Sequence, residues 1–224
     1  MLRLKLYQQS AFFRIPETGA VMVSYPLAPP STIYGLLRHI TGYLSINPKT
    51  AKIGITGCSK AKMKHIVRHT ITTKTGGTLN VLPMEELVDV THNLYISSQY
   101  EEEIMKNVNV IQRFGRSEDI VVTAECETIR AISSAEAFDI QDKKTNMIDR
   151  DEMAYAPFRS QNENQVVFRM AIDTVKEDID AGRYKATYGR FFYMPCTQLS
   201  MSDDESICHA LNSKDQLMVF SWLT

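Results

Sequence analysis

The sequence lacks the features that mark membrane, secreted and metal-stabilised chains. It has no apolar run of the ~18 residues that a transmembrane helix needs, and its opening, MLRLKLYQQS, turns polar too early for a signal peptide. Its cysteines form no CxxC pair, which argues against a structural zinc site and favours a reduced, cytoplasmic chain. P-loop and GxGxxG motifs are also absent, and we expect no cofactor. The four cysteines are Cys58, Cys126, Cys196 and Cys208.

Acidic residues are nearly absent from the first third of the chain. Residues 1–74 contain eleven lysines and arginines but a single acid, Glu17, and so carry a net charge of +10. Because the whole chain has 25 basic and 26 acidic residues, the remaining 150 residues carry 14 and 25 and sum to −11. This asymmetry favours a basic face that binds a polyanion. The acidic remainder would form a second face that is either solvated or in contact with another protein. A merely solvated basic edge is the alternative.

The segment SYPLAPPSTIYGLL predicts a helix with an unusual start. Its prolines at 29–30 force an extended approach, and Ser31 is the expected N-cap of a helix that runs to about Leu44. The free amides at such a helix start favour an anion. Gly35 costs about 1 kcal/mol in a helix relative to alanine, so we expect either another backbone or a ligand to press close to it.

The rest of the chain alternates strands, helices and turns. Strands are predicted at 2–13, 21–25, 52–55, 64–73, 92–97 and 119–129, a second helix at 101–108, and a loop tip at 74–83. Later segments predict a linker at 141–151 and strands at 165–172, 184–194 and 216–223.

The order of these elements predicts an α+β fold. It fits a ferredoxin-like (RRM-like) β-α-β-β-α-β plan with a long thumb hairpin around residues 68–92. We therefore place a ferredoxin-like domain at 1–130 and a smaller β-rich region at 131–224.

The pattern HIVRH is a candidate for metal or phosphate binding. His65 and His69 have the spacing of metal ligands on a helix, but their β-branched neighbours favour a strand, on which they would lie about 13 Å apart. That distance is too long for one metal ion. On the same strand Lys64 and Arg68 suit a phosphate backbone, and a solvated basic hairpin is the alternative.

The pattern QRFGRSED is a second candidate. Arg113 and Arg116 flank Phe114 and Gly115, and Ser117 follows before two acids. Such a turn can offer guanidinium groups and backbone amides to a phosphate. The alternative is a turn with a surface ion pair.

Two stretches together carry a resemblance to a known family. FRIPETGAVMVSYPLAPPSTIYGLLRHITG, followed about 70 residues later by QRFGRSEDIV, resembles the fifth Cas family, the RAMP-superfamily subunit of type I CRISPR Cascade complexes. In the second motif Phe114 stands where the family has leucine. The similarity covers roughly the first 125 residues.

The resemblance implies that the chain caps the 5′ handle of the guide RNA (crRNA). Its partners would be the large subunit and the first backbone RAMP subunit of Cascade, with target DNA reached through the complex. Single-stranded RNA needs cations for its phosphates and flat or polar side chains for its bases. On this basis we assign RNA binding to Arg14, Tyr25, Ser31, Thr32, Tyr34, Arg38, His39, Lys64, Arg68, His69, Arg113, Arg116 and Ser117, with Phe114 as a further flat face.

One branch of the family cleaves precursor RNA, using a tyrosine at the end of the first helix and a Lys-His pair entering the second. Here the tyrosine position falls on Thr41, with Tyr43 nearby, and the second-helix entry SSQYEEE contains no Lys-His. The pair Lys64–His65 lies on the earlier basic strand. We therefore expect a non-catalytic RNA-binding subunit. A metal-independent endoribonuclease and a module that acts mainly through protein contacts are the alternatives.

Overall fold

In the computed structural model, the described residues are 1–16, 18, 21–43, 45–73, 76–143, 151–157, 166–178, 183–200 and 206–223. Side chains are described for all of these except 69–73, 76–80, 141–143, 175–178 and 183–184. The first elements are β1 (Leu2–Ala11), α1 (Pro30–Thr41), β2 (Ala51–Thr73), β3 (Gly76–Ser98), α2 (Glu101–Lys106), a 3₁₀ turn (Val108–Val110) and β4 (Val121–Thr128). They are followed by β5 (Arg130–Ile132), α3 (Ser134–Lys143), β6 (Met153–Pro157), β7 (Val166–Asp178), β8 (Arg183–Pro195), α4 (Cys196–Leu199), β9 (Ile207–Leu211) and β10 (Leu217–Ser221).

The described strands form two antiparallel sheets. The larger has the order β4–β1–β3–β2–β6–β8–β7, and the smaller has the order β10–β9–β5. Helices α1 and α2 lie in the connections between β1 and β2 and between β3 and β4. The chain is therefore a mixed α and β protein built mainly on antiparallel sheet, which confirms the predicted α+β class. Among the described residues, no helix is both long and apolar enough to cross a bilayer.

The main core lies between the larger sheet and α1. Leu2, Leu4 and Leu6 alternate with polar residues along β1 and are almost completely buried. Ile33 and Leu37 on one face of α1 belong to the same apolar cluster. The period of two in the strand and of three to four in the helix thus produces the packing that the sequence predicts.

The hairpin of β2 and β3 is longer than predicted. Its pairs run from Ala51 with Ser98 to Thr73 with Gly76, so the stretch from residue 76 to 83, predicted as a loop tip, is strand. The two residues between the strands lie outside the described residues. The glycines and polar residues of this stretch favour a loop locally, but each pairs with a β-branched or polar residue of β2, and the ladder satisfies their backbone groups.

Gly54 lies inside β2 at a point where another layer of the fold approaches closely. A Cβ at this position would lie 2.7 Å from a ring carbon of Phe220. That ring, on β10, stacks on Tyr95 of β3 at 3.8 Å between centroids. The close approach therefore seats the smaller sheet directly on the larger one.

The second half of the chain extends the same sheet. The predicted strands at 165–172, 184–194 and 216–223 correspond to β7, β8 and β10, while β5, β6, β9, α3 and α4 were not predicted. A short antiparallel ladder pairs β6 with β2, and β6 also pairs with β8. Strands β8 and β7 are thereby joined to the strands from the first half of the chain. Part of the predicted linker at 141–151 is the end of α3, and residues 144–150 lie outside the described residues. The division of the chain at residue 130 stays a prediction.

Candidate nucleic-acid interface

The N-cap of helix α1 lies two residues earlier than the sequence predicts. It is Pro29, with extended φ and ψ of −68° and 153° and no capping side chain, and Pro30 occupies the first helical position. Proline suits this position because its φ is preset and its missing N–H would have no helical partner. The predicted N-cap Ser31 is therefore wrong: Ser31 and Thr32 lie within the first turn, where both are half-exposed.

The same helix ends before the predicted residue 44. Gly42 adopts a left-handed φ of 73°, and its N–H donates to Arg38 O at 2.9 Å. This is the usual glycine termination of a helix. The last turn therefore places His39 on the exposed side of α1 and Arg38 on a half-buried side.

The QRFGRSED segment folds around a buried carboxylate. Asp119 has no exposed surface and accepts hydrogen bonds from the backbone N–H of Arg116 at 2.8 Å and from its Nη2 at 2.6 Å. Glu86 on β3 pairs with the same guanidinium, which also lies 4.9 Å from the centre of the Phe12 ring. Burial alone lowers the pKa of Arg116, but hydrogen bonds and charges from Asp119 and Glu86 outweigh it and raise the pKa above its usual value.

Gly115 is required by the geometry of this loop. Its φ is 113°, and a Cβ would lie 2.6 Å from Oδ2 of Asp119. Phe114 beside it is buried, whereas Arg113 and Ser117 face solvent, and the Ser117 hydroxyl donates to Glu118 at 2.8 Å. The loop therefore fixes two exposed polar residues on a buried anchor.

Three surface hollows adjoin one another along α1. Their volumes are about 480, 340 and 400 Å³. The first and second share Thr32 and Gly115, and the second and third share His39 and Arg113, so the three form one continuous surface. We call this surface the α1 groove.

The α1 groove collects predicted RNA-binding residues from separate parts of the sequence. None of the described residues that line it is acidic, although the chain contains 26 acids. This described lining therefore favours a negatively charged ligand. The predicted residues that it brings together are Arg14, Tyr25, Ser31, Thr32, His39, Arg113 and Arg116.

Two predicted residues serve the interior of the fold. Tyr34 has no exposed surface, and its hydroxyl donates to Ala51 O at 2.9 Å. Arg38 forms an ion pair with Asp173 at 2.7 Å and donates to Ile46 O at 2.7 Å, which ties α1 to β7. The structure therefore places neither group in the α1 groove: one is sealed in the core, and the other is held by partners within the chain.

Two of the predicted flat faces are also packed inside. The Tyr25 hydroxyl donates to Arg169 O at 2.6 Å, and the residue is 3% exposed. The Phe114 ring is 2% exposed and meets Phe13 and His92 edge-on at 5.6 and 5.3 Å. Tyr25 and Phe114 therefore offer almost no exposed surface to the groove that they line.

The sequence did not single out Tyr188. It is 47% exposed and lines the first hollow, and the guanidinium of Arg169 lies 4.5 Å from its ring centre. Both residues come from the paired strands β7 and β8, which lie beside α1 because β6 joins them to the larger sheet. No local signal in the sequence identifies this neighbour.

The basic face of the hairpin is separate from the α1 groove. Lys64 and Arg68 are exposed on β2, and Lys62 pairs with Glu85 at 3.0 Å. His69 also lies on β2, but its side chain lies outside the described residues. In the part of the chain that the structure describes, no three His, Cys, Asp or Glu side chains converge as a metal site would require.

His92 lies beneath the loop that carries Arg113, and it gives a test of the packing there. It is fully buried against Phe13 and Phe114, and neither ring nitrogen has a hydrogen-bond partner among the described residues. Burial lowers its pKa from 6.5 to about 3. In the unfolded chain His92 is therefore protonated below about pH 6.5, whereas in the folded chain it stays neutral until about pH 3.

We expect this residue's contribution to stability to be complete above pH 6.5 and to decline as the pH falls towards 3. The loss is at most about 1.4 kcal/mol per pH unit. Replacement of His92 by Leu removes this component, so urea unfolding between pH 6.5 and 4.5 will show a shallower pH dependence than in the wild type. His39→Leu, which replaces an exposed imidazole, is the control for the same chemical change at the surface. Equal slopes for His92→Leu and the wild type would contradict the account.

Comparison with known proteins adds a family and a fold. The sequence model of the Cas_Cas5d family, described as CRISPR-associated protein (Cas_Cas5), matches residues 1–190. This match confirms the resemblance read from the two motifs. No curated protein sequence gives a significant match.

Solved structures with a similar shape include a chain of a CRISPR RNA-guided surveillance complex. It has a TM-score of 0.51 and 10% identity, over 87% of this chain and 89% of that one. A CRISPR protein from Archaeoglobus fulgidus covers 100% of both chains with a TM-score of 0.43 and 10% identity. At this level of identity the first likeness shows a shared fold.

Proposed function

The chain belongs to the Cas_Cas5d family of CRISPR-associated proteins, and from that premise we propose that it binds the 5′ handle of a guide RNA. It does so as a non-catalytic subunit of a type I CRISPR surveillance complex in the cytoplasm. Its protein partners are the large subunit and a backbone RAMP subunit, and it meets target DNA through the assembled complex.

One observation carries the proposal. Residues far apart in sequence, including Arg14, Thr32 and Arg113, line one groove whose described lining contains no acid. A single-stranded nucleic acid needs a cationic track for its phosphates together with polar or flat groups for its sugars and bases. The groove offers both, since the Thr32 hydroxyl and the His39 ring line it beside the arginines.

A ferredoxin-like domain at 1–130, with the β2–β3 hairpin as its thumb, is part of the same proposal. The strand order β4–β1–β3–β2, with α1 and α2 in the two connections, supports it. Exposed Lys64 and Arg68 give this hairpin a cationic side, which we assign to the RNA beyond the groove. We assign the acidic region 131–224 to contacts with the other subunits.

The end of α1 supports a binding role over a catalytic one. Tyr43 stacks on Tyr100 at 4.8 Å, so the end of the first helix does meet the entry of the second. The groups in the first turn of α2 are three glutamates, however, and one of them, Glu101, is paired with the amino terminus at 3.4 Å. A phosphate at this place would face carboxylates instead of the cation that phosphodiester cleavage needs.

The alternative, a metal-independent endoribonuclease, is favoured only by this tyrosine pair. Its other proposed group, His65, lies on the hairpin, 3.9 Å from Glu86. A cleavage mechanism that used both His65 and Tyr43 would need the two side chains at one phosphodiester, although His65 lies on β2 and Tyr43 follows α1. We therefore retain it as the outcome that the next experiment is designed to detect.

Incubation of the purified full chain with labelled repeat RNA in EDTA tests the function. We expect the RNA to be retained, to remain full length, and to dissociate steeply as salt is added, because counterion release drives phosphate contacts. RNA of the same length but with a scrambled handle is the control. Failure to retain the repeat RNA would overturn the binding proposal, and a cleavage product that disappears in Tyr43→Phe would establish the endoribonuclease instead.

A further inference from the structure

Gly35 lies in the middle of α1, and no contact among the described residues explains why this position is glycine. A Cβ built on it meets no atom within 4 Å, and the residue is exposed. Its φ is not left-handed, so the backbone does not demand glycine. A glycine in an exposed helix interior nevertheless costs stability relative to alanine.

We propose that Gly35 is the floor of a subsite where one ribose-phosphate unit of the bound RNA lies directly against the backbone of α1. The inference rests on the proposed function and deepens it by naming a point of contact. Without a Cβ, the helix surface at Gly35 is open to a ligand, and a close approach of this kind is a recurrent use of glycine.

The walls of this subsite suit a phosphodiester. Thr32, one turn before Gly35, and His39, one turn after it, line the same hollow of about 340 Å³. Arg113 from the neighbouring loop lines it as well and is exposed. A hydroxyl and an imidazole can contact ribose and phosphate oxygens, while a guanidinium binds phosphate with two donors.

The charge of the subsite favours RNA over a protein partner. The described residues lining this hollow include no carboxylate, and the adjoining hollow that contains His39 and Arg113 has none either. An RNA strand leaving this subsite would remain on the same continuous groove, because Thr32 and Gly115 also line the first hollow, which contains Arg14. A protein segment packed on Gly35 is the competing outcome of the test.

The test separates folding from binding because the two should move in opposite directions. Gly35→Ala improves helix propensity without a clash, so we expect Tm to rise by about 2–4 °C. The added methyl occupies space that the RNA needs, so Kd for the repeat RNA rises by about tenfold, as overpacking of a close contact does. Gly35→Gln, with a longer side chain, weakens RNA binding further and keeps the fold.

A variant on the same helix supplies the control. Thr41 lies at the end of α1 and its hydroxyl donates to Leu37 O at 2.7 Å, and Thr41→Ala leaves RNA affinity unchanged. If Gly35→Ala and Gly35→Gln bind RNA as the wild type does while Arg14→Gln binds it weakly, the subsite is refuted and the proposed function stands. If all of these variants bind as the wild type does, the subsite is refuted and the RNA lies outside the α1 groove; if the wild type itself retains no repeat RNA, the proposed function fails. If the glycine variants keep RNA but lose the other subunits of the complex, a protein occupies the site and the inference is overturned.

Discussion

Replacement of Arg116 by methionine lowers the free energy of unfolding by about 3 kcal/mol, because it leaves the Asp119 carboxylate buried and without its charged partner. Asp119 has no exposed surface, and the Arg116 side chain is only 24% exposed, so water does not readily replace the guanidinium. Glu86 loses its partner in the same substitution. Urea unfolding monitored by circular dichroism measures the change.

Arg113→Met is the matched control for this prediction. It makes the same chemical change three residues away in the same loop, at an exposed position, and is expected to alter the unfolding free energy by less than about 0.5 kcal/mol. Equal unfolding free energies for the two variants would contradict the buried role of Arg116. Joint replacement of Arg116 by Met and Asp119 by Asn removes the buried charge but keeps a side-chain oxygen that can accept from the backbone N–H of Arg116, and it recovers part of the loss.

A loss of RNA binding in an Arg116 variant would follow from an unfolded loop as readily as from a lost phosphate contact. Arg14 and Arg113 avoid the problem, because both are exposed and both line the α1 groove.

Replacement of Arg14 and Arg113 by glutamine in one variant is expected to raise Kd for the repeat RNA by about 30-fold at moderate salt. Each lost charge-assisted contact at an exposed site is worth about 1 kcal/mol, and two of them amount to a factor of about 30. Stability changes little, since neither side chain is buried. Fluorescence anisotropy with labelled RNA measures the effect.

The double variant Lys106→Gln with Lys214→Gln is the control for charge. Both lysines are exposed, on α2 and in the turn between β9 and β10, and their loss changes the net charge by the same amount. We expect it to bind RNA within about twofold of the wild type. A similar loss in both double variants would mean that total charge, rather than the groove, controls binding.

The sequence predicts the parts of the fold in which local pattern and tertiary packing agree. The alternation in β1 and the apolar stripe of α1 place Leu4 and Leu37 in the core, as expected. The two family motifs also locate the groove, since both contribute residues to its lining. The prediction works here because periodicity, turn chemistry and burial point to the same arrangement.

The sequence cannot distinguish arginines that bind RNA from arginines that hold the fold. No local sequence pattern distinguishes Arg38 from Arg113. In the structure, however, Arg38 forms an ion pair with Asp173 of β7, which lies 135 residues further along the chain. Tyr188 reaches the groove through the same distant strands. These assignments depend on long-range pairing, and local composition carries no information about it.

Local residue preferences also led to two wrong predictions, a loop where β3 is paired and an N-cap at Ser31. Glycine and asparagine around residue 77 favour a turn, yet pairing with Thr72 and Ile71 keeps this stretch in β3. Serine is preferred over proline as an N-cap residue. Pro30 fits the first helical position, however, and so the helix starts before Ser31.

The central claim is that the α1 groove grips the phosphate backbone of a guide RNA, and the salt dependence of binding tests it most directly. Plots of log K against log salt concentration are measured for the wild type, the Arg14/Arg113 glutamine variant and the Lys106/Lys214 glutamine variant. We predict that the groove variant lowers the magnitude of the slope by about 1.4, since each phosphate contact in a single strand contributes about 0.7, while the lysine variant keeps the wild-type slope. Equal slopes for all three proteins would contradict the account.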